Sequence, residues 1–384
     1  MPFDIRTDLR VQYFDPGTVS YVSIEADTFE VNIERGIDVE QNVFARPKVG
    51  ICEVKLSKKS LYDLLNATGP AYKSNYLFRV QYKNAGGSWL SIFEGIIQNF
   101  EMQYNSDSKR LDITITANDL MKVGLNTNIA SFPINAGSRS YKNVMSQLAT
   151  AINGVDSRFV MTQAGSTGAS TFQRIDNPID TNSGDLFARF MDAELGWLWV
   201  DKNNNIKYMT RADVTALQGT AWDSLFTTTV SNVHSTAATH VCMDYMNLSY
   251  KSDDIANIVR VVNPMTGTKA TVTNSTSVTN FGRQLGEFEV DFDNAASGGT
   301  NYNAWATEVS NAATPRRLSG VSVPVILDSG EVSAIAASDI GTVLQVEFAS
   351  TGFTTMQEVT IISGMNHNIT ADHWECNVSL WEGV

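Results

Sequence analysis

The chain carries one β pattern twice, and that repetition limits its fold more than any other feature. Tyr76 to Lys83 alternates as YLFRVQYK, passes a Gly-bearing turn, NAGGS, and resumes from Trp89 to Gln98 with a break at Gly95. RLDITITA, Arg110 to Ala117, completes the set. Near the C-terminus the order recurs: TVLQVEFA (Thr342 to Ala349), the turn STGFT, MQEVTII, a break at Gly364, then NHNITADHWECNVSLWEG. Val80 matches Val346 at a separation of 266 residues, and Gly95 matches Gly364 at 269. The copies therefore differ by a few loop residues. A β unit used twice in one polypeptide builds two equivalent walls, which suits a symmetric assembly better than a catalyst.

Period-two patterning with β-branched and aromatic residues dominates residues 1–125. In LDITITA, Leu111, Ile113 and Ile115 face one way while Asp112, Thr114 and Thr116 face the other. The period changes in the middle. Tyr141, Val144, Met145, Leu148 and Ile152 form a helical stripe over Ser140 to Asn153. Ser183 reads as the N-cap of a second helix carrying Leu186, Phe187, Phe190 and Met191, with Gly196 as its stop. WLWVDKNNNIKYMTR then reads as a hairpin with an Asn-rich turn. From residue 213 the strand signal returns, interrupted by one helix, Tyr302 to Ala313, that buries Trp305, Ala306 and Val309 and stops at Pro315. The expectation is a mainly β protein with an α/β insertion. It divides into a β-barrel-like domain at 1–125, a small α/β domain at 126–212 and a second β-barrel-like domain at 213–384 with one inserted helix.

At 384 residues the chain exceeds a single core. A net charge of −13 removes the basic surface that binding nucleic acid by counterion release requires. Three cysteines, Cys52, Cys242 and Cys376, make no disulfide framework; Cys52 and Cys376 sit in alternating stretches and read as small buried hydrophobes. The opening MPFDIRTDLR has no apolar core region, so no secretory signal is expected. Apolar runs such as VSVPVIL fall short of the ~20 residues of a membrane-spanning helix.

No nucleophile elbow, phosphate loop, dinucleotide fingerprint or paired CxxC is present. Asp201, Asn203 and Asn205 have the spacing of a calcium loop, but Ile206 stands where Gly is needed and Ala212 where Glu is needed. His367 with Asp372 and His373, and His234 with His240, lack the converging partners of a zinc site. The expectation is no catalytic, metal or cofactor site. One acidic stripe stands out: in EFEVDFDN, Glu287, Glu289, Asp291 and Asp293 share a strand face opposite Phe288, Val290 and Phe292. Like charges so placed repel unless solvated or matched. The stripe is a solvated face, or it lines a water-filled channel or meets a basic partner. Trp197 and Trp199, on one strand face, are the candidate platform for a carbohydrate-binding alternative.

The order of these motifs resembles the phage minor tail and baseplate hub proteins. The resemblance is carried by Glu34-Arg35-Gly36 closing an alternating strand, CEVKLSK, YLFRVQYK, FEGIIQNFEM, LDITITANDLMKVG and DLFARFMDAELGWLWVDKNNNIKYMTR. It continues through NIVRVVNP, SVTNFGRQ, PRRLSGVSVPV, IGTVLQVEF and ISGMNHNITADHWECNVSLWE. It departs at DKNNN, where a Gly is common. The resemblance implies a structural virion protein at the tail tip, assembled in the host bacterial cytoplasm. It would form a homotrimer in which two β domains per chain make a pseudo-sixfold ring. Its implied partners are itself, a tail tube or distal tail ring, a tape-measure protein and a central fibre or spike. DNA would be met only in transit. An acidic lumen would keep phosphate from adhering.

Overall fold

The computed structural model describes residues 4–382, apart from 41–42, 59–73, 85, 108, 131–138, 164–170, 173–180, 218–223, 228–239, 244, 251–254, 265–266, 291–299, 313–315, 325–333, 349–355 and 372. The strands and helices that frame the argument are, in chain order, β1 (Leu9–Asp15), β2 (Thr28–Glu40), β3 (Ile51–Lys58), β4 (Leu77–Lys83), β5 (Trp89–Asn105) and β6 (Arg110–Asn118). Next come α1 (Tyr141–Asn153), α2 (Ser183–Glu194), β7 (Trp197–Val200), β8 (Ile206–Met209), β9 (Tyr245–Tyr250), β10 (Ile258–Val262), β11 (Lys269–Thr273), β12 (Leu285–Glu289) and α3 (Thr300–Asn311). β13 (Arg316–Pro324), β14 (Val343–Phe348), β15 (Met356–Thr370) and β16 (Trp374–Trp381) complete the set.

The repeat read from the sequence is a repeat of strand connectivity. In the first unit the neighbours run β4–β5–β6–β3–β2, and in the second β14–β15–β16–β13–β9, each pair antiparallel. Both orders come from the same sequence of five strands along the chain. Val80 and Val346, matched in the sequence, are both fully buried on equivalent strands. The inward residues of β6 (Leu111, Ile113, Ile115, Ala117) correspond to Trp374, Cys376, Val378 and Leu380 of β16, and all eight are buried. A bulge marks the same place in each long strand, at Gln98 of β5 and Ser363 of β15. Such a bulge bends its strand. Counting from the bulges, Thr360 stands where Gly95 does, and Gly364 matches Asn99. The expected Gly95–Gly364 equivalence is therefore corrected: two glycines near a bend aligned by residue type and not by register.

The expected barrels are not closed. Among the described residues, neither unit pairs its two edges with each other. The edge strand β2 of the first unit instead pairs antiparallel with β15 of the second, from Glu30 opposite Thr370 to Gly36 opposite Gly364. The two units thereby fuse into one open sheet of fifteen strands. Glu34-Arg35-Gly36, expected to end a strand, lies inside β2, which runs on to Glu40. The fused sheet folds over one shared apolar core. Val31, Ile33, Val54, Val80 and Ile115 of the first unit pack in it with Val346, Ile369, Trp374 and Val378 of the second. Tyr82 meets Trp374 edge to face across the seam, with ring centroids 5.5 Å apart.

The α/β insertion packs as a second cluster. The apolar stripes expected on α1 and α2 are all buried. Asn182, not Ser183, caps α2, accepting from Gly184 N at 2.7 Å. The Ser183 hydroxyl instead donates to the Gly124 carbonyl. The helix stops at Leu195, which takes φ 55°. Gly196 serves a different need, since a Cβ there would lie 2.5 Å from the Met209 carbonyl oxygen. Strands β10, β11 and β12, expected as walls of the second barrel, form a separate three-stranded sheet. With α3 they pack into the cluster that holds α1 and α2. Trp305 of α3 donates to the Asp192 carbonyl at 2.9 Å, fastening the small sheet to α2.

At the seam a Cβ on Gly36 would lie 2.9 Å from Gly364 Cα and 3.0 Å from the Ser363 carbonyl oxygen. Gly36→Val should therefore lower the unfolding free energy by about 1–3 kcal/mol, although Val favours strands elsewhere. Urea unfolding reads this as a lower midpoint, and an unchanged midpoint contradicts the backbone contact.

Candidate assembly site at the seam of the two units

Polar chemistry concentrates where the seam meets the Asn-rich turn between β7 and β8. Arg35, one residue before the glycine contact, is buried, and its guanidinium donates to Asp339 Oδ1 at 2.7 Å. The other Asp339 oxygen accepts from the Lys202 backbone N–H at 2.8 Å. Lys202 Nζ donates to the Ala336 and Ala337 carbonyls at 2.7 and 2.6 Å. On the opposite side of the turn, Asn204 Oδ1 accepts from Leu120 N at 2.9 Å and the Lys202 carbonyl accepts from Ser91 Oγ at 3.1 Å. One turn thus bolts the first unit, the insertion and the second unit together. Asn204 takes φ 60°, a conformation that Asn tolerates better than most non-glycine residues. That explains the missing Gly: Asn supplies both the backbone angle and the acceptor for Leu120.

Two buried titratable groups flank this network. Asp119 accepts from Gly50 N at 2.9 Å and Met121 N at 3.0 Å. Burial pushes its pKa up to about 7, opposed by those two N–H groups and by the Arg35 charge. His367 is opposite Ile33 on β2 and Cys376 on β16. Its Nδ1 accepts from Trp374 Nε1 at 3.2 Å. Burial pushes its pKa down to about 3, with the charges of Arg35 and Lys202 adding to the effect. His367 is fully buried in the seam's core, whereas His373 is exposed. Asp372 and His234 lie outside the described residues, and among those described no three His, Cys, Asp or Glu side chains converge as metal ligands. In the turn, Asp201 Oδ1 accepts from the backbone N–H groups of Asn203 and Asn205 at 3.0 and 2.8 Å, so the carboxylate closes the hairpin.

The acidic stripe is elsewhere. Glu287 and Glu289 are exposed on β12 of the small sheet, outside the large one. Arg260 on the neighbouring strand donates to Glu287 at 2.8 Å. Phe288, on the other face, packs on Phe44 and Trp305 with centroids 5.2 and 5.6 Å apart. Asp291, Phe292 and Asp293 lie outside the described residues. Trp197 and Trp199 are both buried, and Trp197 packs edge to face on Trp381 at 5.2 Å, so they form no exposed sugar platform. A cleft of about 470 Å³ opens beside β5, lined by Phe29, Lys55, Glu101, Met102 and Asp112 among others. Lys55 there is held by Glu30 at 2.9 Å and Asp112 by Ser57 at 3.2 Å.

Sequence reasoning missed the network of Arg35, Lys202 and Asp339 and the buried Asp119 beside it. The signal was present in part: Arg35-Gly36 and Asp119 fall within motifs that carry the family resemblance. Their convergence depends on register, which residue type alone does not give.

No family model matches the chain, and no curated protein does either. Solved structures do match over its whole length. The 43 kDa tail protein of prophage MuSo2 from Shewanella oneidensis superposes with a TM-score of 0.60 at 12% identity, covering 98% of both chains. The tail protein from Neisseria meningitidis MC58 gives 0.61 at 10% identity, covering 97% of this chain and 96% of that one. A Francisella PdpA–VgrG complex, in its lidded form, gives 0.50 at 10% identity, covering 98% of this chain and 53% of that one. The fold is that of phage tail proteins. Among the described residues no helix is long and apolar enough to cross a membrane.

The two flanking groups set opposite pH dependences. His367 is neutral when folded, so its contribution is complete above its unfolded pKa of about 6.5 and declines as pH falls toward about 3. Folding raises the Asp119 pKa, so its contribution is complete below about 3.8 and declines as pH rises to about 7. Between pH 4.5 and 6.5 the two slopes oppose, each up to about 1.4 kcal/mol per pH unit. Relative to wild type, Asp119→Asn should make unfolding free energy rise more steeply with pH, and His367→Gln should make it fall. Urea titrations at three pH values check this; parallel profiles for all three proteins contradict it.

Proposed function

We propose that the chain is a structural hub at the distal end of a phage tail, without catalytic activity, assembled as a homotrimer and carried in the virion. The observation that supports it is the five-strand ladder present twice and joined edge to edge within one polypeptide. Three identical chains offer three copies of any surface, whereas three duplicated chains offer six nearly equivalent walls. Such an object adapts a sixfold tail tube or distal ring on one side to a threefold fibre or spike on the other. Its hole gives passage to a tape-measure protein and then to DNA. The likeness in fold to tail proteins from two prophage-bearing or bacterial sources, over nearly the full chain, supports the same reading.

The net charge of −13 fits a channel wall that does not hold nucleic acid. In this reading Glu287 and Glu289, with Asp291 and Asp293, form an acidic surface toward the channel. Replacing all four by Lys should leave the fold intact, because the described pair is exposed, and should slow DNA ejection from assembled virions. Unchanged ejection removes the channel role from these residues without touching the hub reading.

Multi-angle light scattering of the purified chain should give a mass near three times 42.1 kDa. A mass of one or two chains at every concentration, alone and with tail-tube protein, overturns the trimeric hub.

A further inference from the structure

The cleft beside β5 takes no part in the seam or its polar network, and its lining holds chemistry that the fold does not use. It crosses four neighbouring strands, from Phe29 on β2 through Lys55 on β3 and Asp112 and Thr114 on β6 to Glu101 and Gln103 on β5. At the ~4.8 Å spacing of paired strands that path is roughly 14 Å long. Its volume of about 470 Å³ falls within the roughly 300–1,000 Å³ of small-ligand sites.

Phe29 reaches the cleft because β2 is irregular there. Strict alternation leaves one residue between two buried ones, but two, Phe29 and Glu30, stand between buried Thr28 and buried Val31. The pairing with β3 shifts register at the same point: Thr28 lies opposite Leu56, and Glu30 lies opposite the adjacent Lys55. Bulges of this kind re-aim a side chain. Here the extra residue is a phenyl ring, left 40% exposed on the wall of a polar cleft.

The polar groups divide by whether they are engaged. Lys55 Nζ is matched by Glu30 at 2.9 Å and Glu53 at 3.9 Å, and one Asp112 oxygen accepts from Ser57 Oγ at 3.2 Å. Among the described residues the side chains of Glu101, Gln103 and Thr114 hold no hydrogen bond, nor does the second Asp112 oxygen. The unengaged set is therefore carboxylate oxygens, one amide and one hydroxyl. An anionic ligand would meet these carboxylates with the lysine already matched. A neutral ligand dense in hydroxyl groups fits better, because each hydroxyl both donates and accepts. A sugar ring adds a flat C–H face that stacks on an aromatic ring.

We infer that the cleft binds a neutral oligosaccharide. Phe29 stacks on one sugar ring, and Glu101, Gln103, Asp112 and Thr114 bond hydroxyl groups along the short chain. The site lies far from the buried Trp197 and Trp199 in kind: its aromatic ring is exposed and theirs are not. It belongs to one chain and needs no interface, so it stands or falls apart from the hub reading.

The test titrates the purified full chain with cellotriose, chitotriose and mannotriose at millimolar concentration in ligand-observed NMR, beside sialyllactose and pentalysine. At least one neutral trisaccharide should bind, and added salt should leave its affinity unchanged because no ion pair forms. Sialyllactose should not bind. Phe29→Ala and Gln103→Ala, both at exposed positions, should leave circular dichroism unchanged and weaken that binding about tenfold each. Phe29→Trp should retain it. Failure of all three neutral sugars to bind overturns the inference, as does binding that survives both alanine substitutions or a preference for sialyllactose. Salt-sensitive binding of pentalysine alone, lost in Glu101→Gln with Asp112→Asn, also overturns it and assigns the cleft to a basic segment. None of these outcomes alters the mass in light scattering on which the hub reading is judged.

Discussion

The backbone of Gly36 touches the backbone of Gly364, and the rest of the architecture depends on that contact. It fixes which residue of the first unit lies opposite which residue of the second. From it follow the burial of Arg35 beside the contact, its pairing with Asp339, and the placement of His367 against Ile33. A slip of one residue would turn every core-facing side chain of the seam to the other face. The close approach excludes slip by sterics, because no other position along the two strands pairs glycine with glycine.

The polar network beside the seam gives the joint its specificity. A buried ion pair contributes little net stability after desolvation, but removing one partner is costly. Arg35 and Asp339 therefore select one arrangement of the two units more than they strengthen it. The DKNNN turn adds five hydrogen bonds from its side chains and backbone to residues on both sides. Burial shifts the two titratable groups in this region in opposite senses, raising the Asp119 pKa to about 7 and lowering that of His367 to about 3.

Much of the fold is legible in the sequence where the signal is local. Alternation located β4, β5, β6, β14, β15 and β16, and the helical stripes gave the buried faces of α1 and α2 residue by residue. Where tertiary context decides, the sequence misled. Gly95 and Gly364 are both glycines near a bend, yet one packs against Phe93 and the Asn118 carbonyl and the other against β2. The expectation of barrels assumed that each unit would close on itself, but the pairing of β2 with β15 uses the edge that closure would need. IVRVV, KATVT and the start of EFEVDFDN have the alternation of sheet walls, and nothing local says that they form a sheet of their own. The acidic stripe was visible as a stripe; its sheet was not. The polar network was hidden for the same reason, since Arg35, Asp119, Lys202 and Asp339 meet only after the units are in register.

Duplication is the central claim: one polypeptide carries two near-equal β units, which in the proposed trimer would let threefold symmetry imitate sixfold. Electron cryomicroscopy of the assembled particle viewed down its axis tests it most directly. The account predicts three chains and a β wall of six lobes at one radius, alternating between two slightly different kinds. A ring of three lobes, with the second unit at a different radius from the first, contradicts it.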